Sequence, residues 1–317
     1  MPRKVVFMFP GPGAQYFQMG RALYQGNDTF HGWMLRLDAM VAQYMHGSVL
    51  DELYSDEHAS GETFDRTRLT HPAIFMIEYA LALTLGEAGL APDITMGVSI
   101  GSAAAAAASG YLDPEEAVCI VVRQAESIER NCEPGGMLAV LKEPELFKEK
   151  FLSERSELAG VNLPQHFVVS GTCRDLRLIE QELKRRHIDH QRLPVSFAFH
   201  SHHLDVAREE FFANTRHVRF RETGAGMMCC ERGEIITRSS CDHLWRVVRN
   251  PIKFAQAALE LERHGPNLYV DVGPSGTLAT FLKNLLPPDS HSTVRCALSP
   301  FGRDLQTLSS ALAERVD

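Results

Sequence analysis

The pentapeptide Gly97-Val98-Ser99-Ile100-Gly101 directly follows the apolar run Ile94-Thr95-Met96 and precedes the alanine-rich stretch Ala103 to Ala108. That order reads as strand, tight turn and helix, and it restricts the chain to folds in which a strand end doubles back into a helix. A glycine on each side gives the backbone room for the reversal, so the Ser99 hydroxyl stands clear at a helix N-terminus. There the N–H of Ile100, the residue after the serine, is placed to hold an oxyanion. Acyl chemistry on Ser99 is the first expectation.

The remaining composition narrows the class. At 317 residues the chain can bury a large core, and one large domain carrying an insert is expected rather than two equal domains. A net charge of −8 gives no sign of a nucleic-acid surface. The longest apolar run, around Ala103 to Ala108, is too short and too interrupted to span a bilayer, so no membrane role is expected. Met1-Pro2-Arg3-Lys4 leads straight into Val5-Val6-Phe7-Met8-Phe9 without the small-residue cleavage site of a secretory signal, which points to the cytoplasm. Seven cysteines without any Cys-x-x-Cys are expected as reduced thiols, with Cys229 and Cys230 on opposite faces of a strand. His200, His202 and His203 form the one dense histidine cluster; no Cys, Asp or Glu motif converges on it, and no metal is expected.

From Met1 to about Asn131 short apolar runs alternate with longer amphipathic stretches, the pattern of an α/β layer fold. From Gly136 the texture changes. Met137–Leu141 reads as a strand, Pro144–Ser153 as a helix opened by its proline, Leu158–Leu163 and His166–Ser170 as two strands, Arg174–Arg186 as a charged helix and Arg192–Phe199 as a last strand. Strand-helix-strand-strand-helix-strand is the ferredoxin-like order. The large domain would then comprise residues 1–131 and 198–317, and the small subdomain 132–197. Leu268–Val272, closed by Gly273-Pro274-Ser275-Gly276 and followed by a helix over Thr277–Asn284, reads as a return to the first layer.

Four segments in this order resemble the malonyl-CoA:acyl carrier protein transacylases and the acyltransferase domains of polyketide synthases. They are Phe9-Pro10-Gly11-Pro12-Gly13-Ala14-Gln15, Gly97-Val98-Ser99-Ile100-Gly101, Ala198-Phe199-His200-Ser201 and Val272-Gly273-Pro274. The resemblance implies an α/β-hydrolase-like domain with an inserted ferredoxin-like subdomain. It makes Ser99 the acyl-carrying nucleophile and His200 its base and acid, a pair the chemistry needs because a serine hydroxyl is a poor nucleophile at neutral pH. In the family a backbone carbonyl shortly before an Asn-Pro or Gln-Pro step orients the histidine; here the step is Asn250-Pro251, and Val247 is expected to supply the carbonyl. Gln15, Phe199 and Ser201 would contact substrate. No resident cofactor is implied, since the acyl group travels on the phosphopantetheine of an acyl carrier protein or of CoA. Acyl carrier protein domains of a polyketide synthase are the implied partners, with Arg246, Arg249 and Lys253 as candidate docking cations.

Three departures from the family pattern shape the expected function. Counting from Gly110-Tyr111-Leu112-Asp113 places Gln124 where the malonyl-specific enzymes carry a carboxylate-binding arginine. Helical phase sets Gln124 with Ala117, Val121 and Ile128, facing the pocket, and leaves neighbouring Arg123 to solvent. A neutral amide does not compensate a buried carboxylate, so malonyl should bind poorly. Pro12 replaces a glutamine whose N–H is an oxyanion donor; proline has none, leaving Gly13 or Ile100 to serve. Val98 and Ser102 replace the usual histidine and glutamate, while Phe199 fits the branch taking unbranched acyl groups. With Gln124-Ala125-Glu126 and Cys132-Glu133-Pro134-Gly135-Gly136-Met137, the chain is most similar to the standalone acyl hydrolases of trans-acyltransferase polyketide synthases. An acyl-carrier-protein thioester hydrolase removing short groups such as acetyl is thus the leading expectation. An acyltransferase loading malonyl or another short acyl group is the second, and a non-catalytic carrier-docking protein the third.

Overall fold

A computed structural model describes residues 3–59 and 61–314; residues 1, 2 and 315–317 of the expected domain limits lie outside them. The described residues form ten strands: β1 (Lys4–Phe9), β2 (Ile94–Gly97), β3 (Gly135–Val140), β4 (Glu157–Leu163), β5 (His166–Thr172), β6 (His190–Arg192), β7 (Gly226–Cys229), β8 (Glu234–Ile236), β9 (Asn267–Asp271) and β10 (Thr293–Cys296). They form two sheets of a mixed α/β fold.

The larger sheet has the order β10-β9-β1-β2-β7-β8, parallel throughout except for the antiparallel edge strand β8. Strand β1 lies between β2 and β9, with Phe7 opposite Thr95 on one side and Val270 on the other. Its pleat splits its side chains between two cores, Val5, Phe7 and Phe9 on one face and Val6 and Met8 on the other. Each fully buried phenylalanine contributes about 2–3 kcal/mol relative to exposure. Cys229 and Cys230 divide the same way, one into each core, as their adjacency predicts. The helix Gly101–Ala108 packs under β1 and β2, and its buried alanines let it approach the sheet closely. Helix Thr67–Glu87 covers it. This helix, and not the stretch Ala103 to Ala108, is the longest apolar segment; it is long and apolar enough to cross a bilayer but is packed within the protein.

The smaller sheet is antiparallel with the order β4-β5-β3-β6. One face carries Leu138, Val140, Phe167 and Val169 against Leu176, Ile179 and Leu183 of helix Cys173–Arg185. The alternate residues Met137, Ala139 and Val168 face the larger unit and form one wall of a cleft. The smaller sheet is also tied through the backbone to the segment after helix Cys241–Arg249: Ile252 N–H donates to Ala159 at 2.8 Å, and Val161 N–H donates to Ile252 at 3.1 Å.

Two local expectations are corrected. The expected strand Arg192–Phe199 pairs only over His190–Arg192, because Pro194 offers no N–H to continue a ladder and the chain beyond it descends toward the cleft floor. The expected helix Pro144–Ser153 divides into a 3-10 turn, Pro144–Lys148, and a short helix, Lys150–Ser153, because Glu149 between them is extended (φ −71°, ψ 139°).

Candidate active site

Strand β2 ends at Gly97, and the chain reverses through Ser99, whose φ of 54° lies in the left-handed region that a serine seldom adopts. The turn is held by Val98 N–H donating to Phe9 at 2.9 Å and Gly101 N–H donating to Val98 at 3.0 Å. Both flanking glycines are demanded by space. A Cβ on Gly97 would lie 2.4 Å from the Ser102 Cα, and one on Gly101 would lie 2.1 Å from the Pro10 carbonyl oxygen.

His200 arrives from the segment after β6. It too has a positive φ, 59°, and the turn is closed by the Ser201 hydroxyl donating to the Ala198 carbonyl at 2.6 Å. Its Nε2 lies 3.0 Å from the Ser99 Oγ. Its Nδ1 lies 2.8 Å from the Asn250 carbonyl, which can only accept, so the proton is on Nδ1 and Nε2 is free to take the serine proton. The backbone N–H of His200 donates to Val248 at 2.9 Å, so the loop and the ring are both held by the segment ending helix Cys241–Arg249.

A wider set of contacts braces this loop. Arg249 grips Asp205 through two hydrogen bonds, 2.6 and 3.0 Å, and approaches Glu157 of β4 at 3.7 Å. Glu157 also accepts from the backbone N–H of His202 at 3.0 Å and from its ring. His200, His202 and His203 therefore diverge, the first toward Ser99, the second toward Glu157 with the third tilted against it.

Ser99 and His200 are 3% and 2% exposed at the floor of a cleft of about 370 Å³ between the two sheets. Burial drives the His200 pKa down to about 4; the Asn250 carbonyl opposes this, and the Arg249 charge adds to it. The imidazole is accordingly neutral across the physiological range. Acylation that needs this base is expected to stay flat from pH 8 to about 5 and fall near pH 4, where an ordinary histidine would have titrated near 6.5. Initial kcat/KM across pH, with a short acyl thioester, measures this; a midpoint near 6.5 would contradict it. The unfolded chain binds a proton near pH 6.5 that the native site excludes until about 4, so this group's stabilisation is complete above 6.5 and is lost as pH falls through 4.

Residues 6–314 match the family described as acyl transferase domain. This chain belongs to that family. It is 40% identical over 305 residues to the polyketide biosynthesis acyltransferase homolog BaeD of Bacillus velezensis, covering 96% of this chain and 94% of the relative. It is 37% identical to the homolog PksD of Bacillus subtilis, covering 98% and 96%. Among solved structures it resembles a loading acyltransferase from the avermectin modular polyketide synthase, with a TM-score of 0.90, 25% identity and coverage of 98% and 99%. The malonyl-CoA acyl carrier protein transacylase (MCAT) of Streptococcus pneumoniae shares the fold, with a TM-score of 0.81 at 24% identity.

Against this acyl transferase geometry several expected site residues move. The carbonyl orienting His200 belongs to Asn250, not Val247: Val247 lies inside the last helical turn, where carbonyls run along the axis. Pro251 holds Asn250 extended (φ −92°, ψ 159°), turning its carbonyl out to the ring. Gln15 does not line the cleft. Its Oε1 accepts from Gly13 N–H at 2.7 Å, and its Nε2 donates to Phe64 and Pro194 at 2.8 and 2.9 Å, so the amide is consumed in clasping three segments together. Ser201 is likewise spent on its turn, whereas Phe199, Pro12 and Gly13 do line the cleft.

With Pro12 lacking an N–H and the Gly13 N–H committed to Gln15, the Ile100 N–H is the donor left for an oxyanion; it has no acceptor among the described residues. Gln124 faces inward as its phase predicts, 1% exposed, but it does not line the cleft and donates to the Leu244 carbonyl at 3.3 Å. Arg123 turns away to Glu126 at 2.6 Å and to the Tyr44 ring. The suggested docking cations are largely neutralised, Arg246 by Asp242 and Glu231, and Arg249 by Asp205 and Glu157. The sequence reading also missed Asn162, His166 and Gln191, which form a polar part of the opposite wall; only their alternation along β4, β5 and β6 hinted at that face.

Proposed function

We propose that this chain is a serine-dependent hydrolase that removes short, uncharged acyl groups such as acetyl from the phosphopantetheine thioesters of acyl carrier protein domains in polyketide biosynthesis. The observation that carries this reading is the character of the cleft: no residue lining the cavity at Ser99 and His200 is a lysine or an arginine. A malonyl carboxylate there would be buried without a counter-charge, at a cost of roughly several kcal/mol. An acetyl group carries no such burden.

In this mechanism the Ser99 Oγ attacks the thioester carbonyl carbon while its proton passes to His200 Nε2. The Ile100 N–H holds the developing oxyanion. The C–S bond breaks, the departing sulfur takes the proton from His200, and the acyl group remains as an ester on Ser99. Water then gives one proton to His200 and its oxygen to the acyl carbon; Ser99 recovers the proton and a free acid leaves. A thiol in place of water would give transfer, the activity named for the relatives. No resident cofactor enters either route. In this reading the smaller sheet and its helices are a ferredoxin-like insert, residues 132–197, set into a large unit of residues 1–131 and 198–317.

Incubating acetyl-loaded and malonyl-loaded carrier protein with the enzyme and following intact mass tests the proposal. The acetyl carrier is expected to revert to the free thiol at least about a hundredfold faster than the malonyl carrier. Faster loss of malonyl would overturn the preference for uncharged acyl groups, and acetyl passing to a second carrier without release of acid would replace hydrolysis by transfer.

A further inference from the structure

Glu231 takes no direct part in the chemistry at Ser99, yet it is largely buried, in the turn between β7 and β8, with its side chain 15% exposed. Its two oxygens are held differently. Oε1 accepts from the Asn250 side-chain amide at 3.0 Å. Oε2 is buried and has no hydrogen-bond donor among the described residues; the Nε atoms of Arg246 and Arg232 stand 3.7 and 3.8 Å from it. The turn itself is fastened near both members of the catalytic pair. Cys229, at the end of β7, lies opposite Gly97 in the strand that leads to Ser99. The Cys230 carbonyl accepts from Lys253 N–H at 2.7 Å, just beyond the Asn250-Pro251 step, and Gly233 approaches Gln256 so closely that a Cβ would lie 2.6 Å from its Nε2.

Asn250 is thereby held at three polar groups. Its backbone N–H donates to the Arg246 carbonyl at 2.8 Å, its side-chain amide donates to Glu231, and its carbonyl meets His200 Nδ1 at 2.8 Å. A side chain tethered at its tip restricts the rotation of the backbone unit it hangs from, so the bond to Glu231 keeps the carbonyl aimed at the ring. The tether is a charge-assisted one, and a carboxylate can only accept, which fixes the Asn250 amide with its nitrogen toward Glu231. We propose that Glu231 is a positioning residue for the catalytic base: through Asn250 it holds the His200 imidazole in line with the Ser99 hydroxyl. This rests on the reading that His200 takes the Ser99 proton, and it is indifferent to whether water or a thiol resolves the acyl-enzyme.

The test follows single-turnover acylation of Ser99 by acetyl N-acetylcysteamine thioester. Glu231→Leu is expected to lower the limiting rate by about ten- to a hundredfold, with the half-saturating thioester concentration changed by less than about twofold, because the residue touches no substrate. Glu231→Gln, which keeps an acceptor at the same reach, should recover most of the rate. Asn250→Ala, which keeps the backbone carbonyl, should match the leucine variant, and combining the two should add no further loss. A folded Glu231→Leu protein acylated at the wild-type rate, or a Glu231→Gln protein as slow as Glu231→Leu, would overturn the proposal. If the leucine variant does not fold, Asn250→Ala decides: a wild-type rate there overturns it equally. The proton resonance of His200 Nδ1–H reads the same alignment without acyl chemistry. It is expected far downfield in the wild type and weakened or shifted upfield in Glu231→Leu, and an unchanged resonance would overturn the proposal. Failure of acetyl to acylate Ser99, with that change in the resonance intact, would count against the acetyl-hydrolase reading and not against this one.

Discussion

Ser99→Ala is expected to leave no acyl-enzyme. Among the described residues the hydroxyl at the turn is the one nucleophilic atom hydrogen-bonded to His200 Nε2, and alanine tolerates the 54° φ no worse than serine, so the fold should be retained. Intact mass after mixing with an acetyl thioester should show no adduct, and carrier deacylation should fall by about a thousandfold or more, toward the level supported by binding and the oxyanion donor alone. An acylated Ser99→Ala protein would move the nucleophile elsewhere and remove the basis of the proposed chemistry.

His200→Ala should be almost as severe, lowering acylation by about 10³-fold or more. The imidazole takes the serine proton and returns it to the leaving sulfur, and no other titratable group is hydrogen-bonded to Ser99 among the described residues. Because serine and histidine act as a unit, the Ser99→Ala/His200→Ala double variant should be no slower than Ser99→Ala alone. A multiplicative loss in the residual rate of carrier deacylation would show that the two residues act independently.

The parts of this site that could be read in the sequence are those whose chemistry is local. The strand-turn-helix around Ser99 leaves a glycine signature because backbone atoms crowd both flanks. The inward phase of Gln124 follows from helical spacing, and the succession of strands and helices between Gly135 and Arg192 follows from apolar alternation. What escaped was tertiary. The distinction between Val247 and Asn250 depends on where a helix stops and which carbonyl swings outward. The use of Gln15 as a clasp depends on Phe64 and Pro194, far from it in sequence. Arg249 reads as a surface cation until its partners Asp205 and Glu157 arrive from two other segments. Pro194 does carry a local signal, a missing N–H that ends the pairing of the last strand.

The bracing of His200 joins cleft width to proton transfer. Ile252 is hydrogen-bonded into β4 only two residues after the carbonyl that steadies the imidazole, and Glu157 of the same strand grips the loop that carries it. The smaller sheet and the catalytic base therefore share one hydrogen-bonded connection, so a change in the position of β4 is expected to reach Asn250 and His202 together, and with them the alignment of the imidazole on Ser99.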